Sequence, residues 1–157
     1  MVDIAEDRHK LTAEGLVELF KIELLNGGVI RLKANNTVTW QGNTYEGYAV
    51  QLTGVNTSSD EELSRPNLAL ANPDGLFSAF IIGGTLEKAV VTRYLLLKAN
   101  LDANLNVAES QSWYVSRVVT MNRISCQLEL RNPIDGPQFL CPARMFIPPE
   151  FKTVGLT

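Results

Sequence analysis

The sequence predicts a mainly β protein, an antiparallel sandwich or partly closed barrel with one short helix. Three observations carry that expectation. Apolar and polar residues alternate with period two in several segments, short turns rich in Gly and Asn separate those segments, and only one stretch combines helical spacing with a start and a stop signal. The length of 157 residues suits a single core.

The first strand is expected over Val17–Leu25, where Phe20, Ile22 and Leu24 oppose Lys21 and Glu23. Asn26-Gly27-Gly28 accepts positive φ, and Val29–Lys33 alternates again, so the two segments form a hairpin. A second hairpin is expected within Thr37–Leu52, with Val38-Thr39-Trp40 and Tyr45 flanking the turn Gln41-Gly42-Asn43-Thr44. Thr53–Pro66 is full of turn formers, carries the acidic triplet Asp60-Glu61-Glu62 and lacks periodicity, which predicts a long exposed loop. Loops of that length are usually functional or become ordered against a partner.

Asn67–Ala71 is a short strand candidate. Asn72-Pro73-Asp74 is a helix-start signal, Leu76, Phe77, Phe80 and Ile81 share one helical face, and Gly83-Gly84 ends the helix. Glu87–Lys98 and Ser112–Met121 are rich in β-branched and aromatic residues. The last strand then places Ile124, Cys126, Leu128 and Leu130 on one side and Ser125, Gln127, Glu129 and Arg131 on the other, with Asn122-Arg123 as the preceding turn. Five prolines, from Pro133 to Pro149, interrupt the C-terminal stretch, which reads as a wrapping arm. The chain thus divides into an N-terminal arm (1–16), a β domain (17–133) and a Pro-rich C-terminal arm (134–157).

Composition excludes several classes. Hydrophobic residues at 45% and charged residues at 20% describe a globular chain, and a net charge of -3 supplies no basic face for nucleic acid. The apolar stretches are too short to cross a bilayer, and the polar, mixed-charge Met1–Lys10 does not resemble a signal peptide, so cytoplasmic synthesis is expected. Cys126 and Cys141 are then free thiols.

Catalytic chemistry lacks its parts. The sole histidine, His9, lies in a polar terminal segment without rigid support, and neither cysteine has a base to recruit. Two cysteines and one distant histidine do not make a zinc set. Gly27-Gly28 and Gly83-Gly84 lack the lysine and the hydroxyl residue of a phosphate loop. Asp60, Glu61 and Glu62 belong to one loop, whereas glycosidase carboxylates face each other about 5–9.5 Å apart. No enzyme, metal or cofactor is expected. The candidates that remain are interface residues. Trp40, Tyr45 and Tyr48 form either core or a stacking platform for a sugar or a protein, and the acidic triplet, with Pro142 and Phe146 in the C-terminal arm, offers contacts to other subunits. Trp113 and Tyr114 lie on opposite faces of one strand, so one of them is expected to point outward.

The order of these pieces resembles the N-terminal part of minor tail protein L of lambda-like phages. The carrying residues are Val38-Thr39-Trp40-Gln41-Gly42 with Tyr45, Ser64-Arg65-Pro66 before Leu68 and Leu70, the short helix, Gly83-Gly84-Thr85 and Arg93-Tyr94-Leu95, spread from Val17 to Pro133. The resemblance implies a structural tail-tip or baseplate subunit of the virion, assembling in the host cytoplasm as a homo-oligomeric ring, expected to be a trimer, between the distal tail and hub proteins. It also implies a cysteine-rich C-terminal extension holding an iron–sulfur cluster. Cys141 alone stands in that region, so the four-thiolate set is missing and the cluster is not expected to carry over. The runner-up expectation is a carbohydrate-binding β-sandwich in which Trp40 and Tyr45 stack on sugar rings.

Overall fold

The computed structural model describes residues 15–55 and 65–133. Among these residues nine strands form one sheet: β1 (Leu16–Glu23), β2 (Val29–Ala34), β3 (Val38–Trp40), β4 (Asn43–Tyr48), β5 (Val50–Thr53), β6 (Asn67–Ala71), β7 (Val90–Leu97), β8 (Glu109–Met121) and β9 (Ser125–Arg131). Two short helices, α1 (Leu76–Ile82) and α2 (Lys98–Asp102), interrupt them, and a 3-10 turn at Pro73–Gly75 precedes α1. The strand order is β3-β4-β2-β1-β7-β8-β9-β6-β5. The sheet curls until β5 approaches β2, and no ladder joins those strands, which makes an incomplete barrel.

Alternation explains the core. Phe20 and Ile22 of β1 point inward with Leu32, Val91, Trp113, Val115, Cys126, Leu128, Leu130, Leu68 and Leu70. The opposite face of β1 and β7 is buried as well. There Leu19 and Leu96 meet Trp40, Tyr45 and Leu101, so the β3–β4 hairpin and α2 cover the outside of the sheet with a second, smaller core.

Among the described residues the expected antiparallel pairing holds in every ladder but one. β2 and β4 run parallel, with Leu32, Lys33 and Ala34 opposite Glu46, Gly47 and Tyr48. The chain leaving β2 skips one position, runs as β3, and returns as β4 in the gap. That route takes Asn35–Thr37 directly over Gly47, where an added Cβ would stand 2.6 Å from the Asn35 carbonyl oxygen. Glycine is required because backbone passes over backbone. The single expected helix is also joined by α2, whose residues the β-favouring composition of the preceding stretch had obscured.

Asn72 is buried and plays a different part from a first-turn cap. Its Oδ1 accepts the Phe77 N–H at 2.9 Å, one turn later than expected, while its Nδ2 donates to the Asn122 carbonyl at 2.6 Å and the Ser78 hydroxyl at 3.1 Å. One side chain thereby ties α1 to the β8–β9 turn. Within α1, Phe77 is buried and Phe80 and Ile81 are half-buried, but Leu76 turns outward, contrary to the shared face read from spacing. Ile124 departs likewise. It lies in the turn before β9 at 82% exposure, whereas Cys126, Leu128 and Leu130 are fully buried as their alternation predicts.

Candidate functional site

The hairpin aromatics are structural. Trp40 is 5% and Tyr45 2% exposed, and Trp40 packs tilted against Tyr45 and Tyr94 at centroid distances of 6.4 and 5.4 Å. The indole N–H donates to the Leu105 carbonyl at 3.0 Å, and the Gln41 backbone and side chain both bond Asn104, which fastens the β3–β4 turn to the segment after α2. Neither ring presents a face for stacking on a sugar. Trp113 is buried and Tyr114 half-buried, in line with their opposite directions on β8.

Tyr48 is placed otherwise. It is half-buried, its ring stands edge-on to Phe77 at 5.7 Å, and it borders two surface clefts. One, of about 330 Å³, lies between the start of β2, Thr44 and Glu46 of β4, and Leu76, Phe77 and Phe80 of α1. The other, of about 510 Å³, lies where the two flanks of the sheet approach, between Ala34–Asn35 and Val50–Gln51. The Tyr48 hydroxyl is buried without a hydrogen-bond partner, and burial raises its pKa above the usual value near 10. Tyr45 is raised too, by burial first and by the neighbouring Tyr94 second, with Arg31 opposing.

Removing the unpaired hydroxyl should therefore do no harm: Tyr48→Phe is expected to be neutral or up to about 1 kcal/mol more stable in urea unfolding. The pH dependence follows from the same burial. A folded pKa above the unfolded one gives a contribution that is complete below pH ~10 and is lost as pH rises through the folded value. Stability should therefore fall on the alkaline side of pH 10, less steeply in Tyr48→Phe, as read by thermal melts across that range.

A charged cluster on the outer face was not legible beforehand. Glu129, expected to point into solvent, has a side chain only 8% exposed; Arg117 holds Oε2 through two contacts of 2.8 Å, and Arg65 and Arg131 stand 3.7 and 3.8 Å from Oε1. Register shifts in β8 at Ser116 and Val119 create the arrangement. Without the first, simple alternation from buried Val115 would turn Arg117 into the core.

Cys126 is buried on the inner face, and desolvation raises its thiol pKa, so it behaves as a small apolar residue. Asp60, Glu61, Glu62, Cys141, Pro142, Phe146 and His9 lie outside the described residues. Among the described residues no group of three His, Cys, Asp or Glu could hold a metal, and no helix is long and apolar enough to cross a membrane.

Large apolar side chains remain in water. Leu25 is 69%, Leu76 54% and Ile82 80% exposed; Val29 lines the same cleft as Leu76 and, like Val90, pairs with Glu23. Large apolar side chains left in water where they adjoin commonly mark a contact site.

Comparison with known proteins gives this surface a context. The tail tip protein L of Escherichia phage lambda is 23% identical over 121 residues, covering 70% of this chain and 52% of that protein. A chain from the virion of a native gene transfer agent particle has the same fold, with a TM-score of 0.65 at 14% identity, covering 90% of this chain and 46% of that one. The chain thus spans about half the length of these relatives. The model of the family described as phage minor tail protein L matches residues 27–150, which takes in nearly all of the sheet and both helices, and the chain belongs to that family of phage tail proteins.

Proposed function

We propose that the protein is a non-enzymatic structural subunit of a phage tail tip, forming a homo-oligomeric ring between the distal tail tube and the central hub. The family match over residues 27–150 carries this reading. The exposed apolar side chains around α1 and the β1–β2 turn support it, because a ring subunit works by burying such surface against neighbours. The acidic stretch Asp60–Glu62 and the Pro-rich arm containing Pro142 and Phe146 are the segments we assign to those contacts. The ring is taken to be a trimer built in the host cytoplasm and carried in the virion tail.

The test is incorporation. Deleting Asp60–Glu62, or truncating after Pro142, should leave a cooperatively melting β domain that is absent from purified particles in a complementation assay. Normal incorporation of both variants would refute the assignment.

A further inference from the structure

Three arginines from three elements converge on one carboxylate at the outer face of the sheet. Arg117 comes from β8, where the register shift sets it opposite Glu129, and Arg131 ends β9. Arg65 precedes β6 and is fixed by its neighbour Pro66, whose carbonyl accepts the Leu130 N–H at 2.8 Å. The Glu129 side chain is only 8% exposed, while those of Arg65 and Arg117 are 55% and 68% exposed, so the carboxylate forms a floor and the guanidiniums face water. Among the described residues no other carboxylate stands within 4 Å of any of the three.

The cluster gathers more positive charge than its carboxylate uses. Arg117 alone supplies Glu129 with two contacts of 2.8 Å, both to Oε2. Arg65 and Arg131 stand 3.7 and 3.8 Å from Oε1, too far for a hydrogen bond, and both that oxygen and the Arg131 Nε are buried without a hydrogen-bond partner. One carboxylate against three guanidiniums leaves two positive charges in excess, held side by side against their mutual repulsion. An anion laid over them would relieve that repulsion, and the donor fork of a guanidinium matches the two oxygens of a carboxylate.

The rest of the face suits the same partner. Thr53, Asn67, Glu129 and Arg117 form one outward row across β5, β6, β9 and β8, and Ala69 and Gln127 stand in the row beside it. Apart from the arginines and the buried Glu129, these side chains are small or neutral. A chain rich in carboxylates therefore meets opposite charge at the arginines and no exposed like charge in the two rows beside them. We infer that this face binds an acidic, carboxylate-bearing segment of another tail protein. Arg65 and Arg131 anchor it, and Glu129 is a positioning residue that holds the Arg117 guanidinium in place. That the partner is a tail protein rests on the tail-tip reading given above; the chemistry of the site does not.

The probe is a fluorescein-labelled hexaglutamate peptide, titrated by anisotropy into the full-length protein at low salt. Saturable binding is expected, weakening as salt rises. Arg65→Gln and Arg131→Gln together leave Glu129 its bonds to Arg117, so the melting temperature should hold while affinity falls about tenfold. Lys88→Gln removes an exposed charge elsewhere and should change affinity little. Glu129→Gln should tighten binding, because it deletes the negative charge beneath the arginines; a cluster that serves the fold alone would show no such gain. Absence of binding, an equal loss in Lys88→Gln, or equally tight binding of a labelled oligonucleotide of the same charge would overturn the inference. Binding that appears only after Asp60–Glu62 are deleted would overturn it in favour of the chain's own acidic stretch. Failure is separable from failure of the tail reading. In complementation the double variant should be depleted from particles. A double variant that has lost peptide binding and still enters particles contradicts only this site, while an unaltered protein absent from particles contradicts the tail reading.

Discussion

Trp40→Ala should cost about 3–5 kcal/mol, the usual range for emptying a buried aromatic site. The indole is the centre of the smaller core, against Tyr45, Tyr94, Leu19 and Leu96, and its N–H holds the Leu105 carbonyl. Truncation would leave a cavity and an unpaired acceptor together. Since domains are stable by only about 5–15 kcal/mol, the midpoint should drop on the order of 10 °C. Trp40→Phe separates the contributions, keeping most of the ring area and losing only the N–H, for about 1 kcal/mol. Urea unfolding of both variants checks this. A Trp40→Ala protein of undiminished stability would mean that the hairpin is a surface device, as a sugar-stacking platform would be.

The second large effect is expected at Gly47. An alanine Cβ there would meet the Asn35 carbonyl oxygen at 2.6 Å and the Asn36 carbon and Thr37 nitrogen at 2.9 Å, all backbone atoms that cannot swing aside. Either the β2–β3 connection lifts or the parallel β2–β4 pair separates, and the Gly47 N–H bond to the Thr37 hydroxyl is lost in both cases. Overpacking of this kind costs about 3 kcal/mol, and Gly47→Val should exceed Gly47→Ala. Gly42→Ala is the instructive control. Its φ of +73° imposes about 1–2 kcal/mol of backbone strain, yet nothing lies within 4 Å of the added atom. A larger loss at position 42 than at position 47 would mean that the crossing is looser than described.

These two positions mark where sequence reading succeeds and where it stops. Period-two alternation located β1, β2 and β9 to within a residue or two, because each strand has a buried face that any slip would expose. Alternation reports which face is buried and is silent about which strand lies alongside. The parallel β2–β4 pair depends on Gly47 meeting Asn35–Thr37, a contact that no local pattern encodes. Glu129 illustrates the same limit: read alone it is an outward strand residue, and only the register shifts in β8 bring Arg117 against it. Trp40 and Tyr45 read from the sequence as either core or interface, and the second core that buries them needs α2, which propensity concealed. The cleft beside α1 was not anticipated, since its walls come from β2, β4 and α1 and join only once the sheet curls. By contrast the order of motifs, with Trp40-Gln41-Gly42 followed by Ser64-Arg65-Pro66 and Gly83-Gly84-Thr85, sufficed to indicate the family.

Electron microscopy of the parent particle, with this protein tagged at its N-terminus, tests the central claim most directly. The account predicts label confined to the tail tip, as a closed ring of identical barrels at the junction of tube and hub. Label on the capsid or along the tube, or particles complete without the protein, would contradict it.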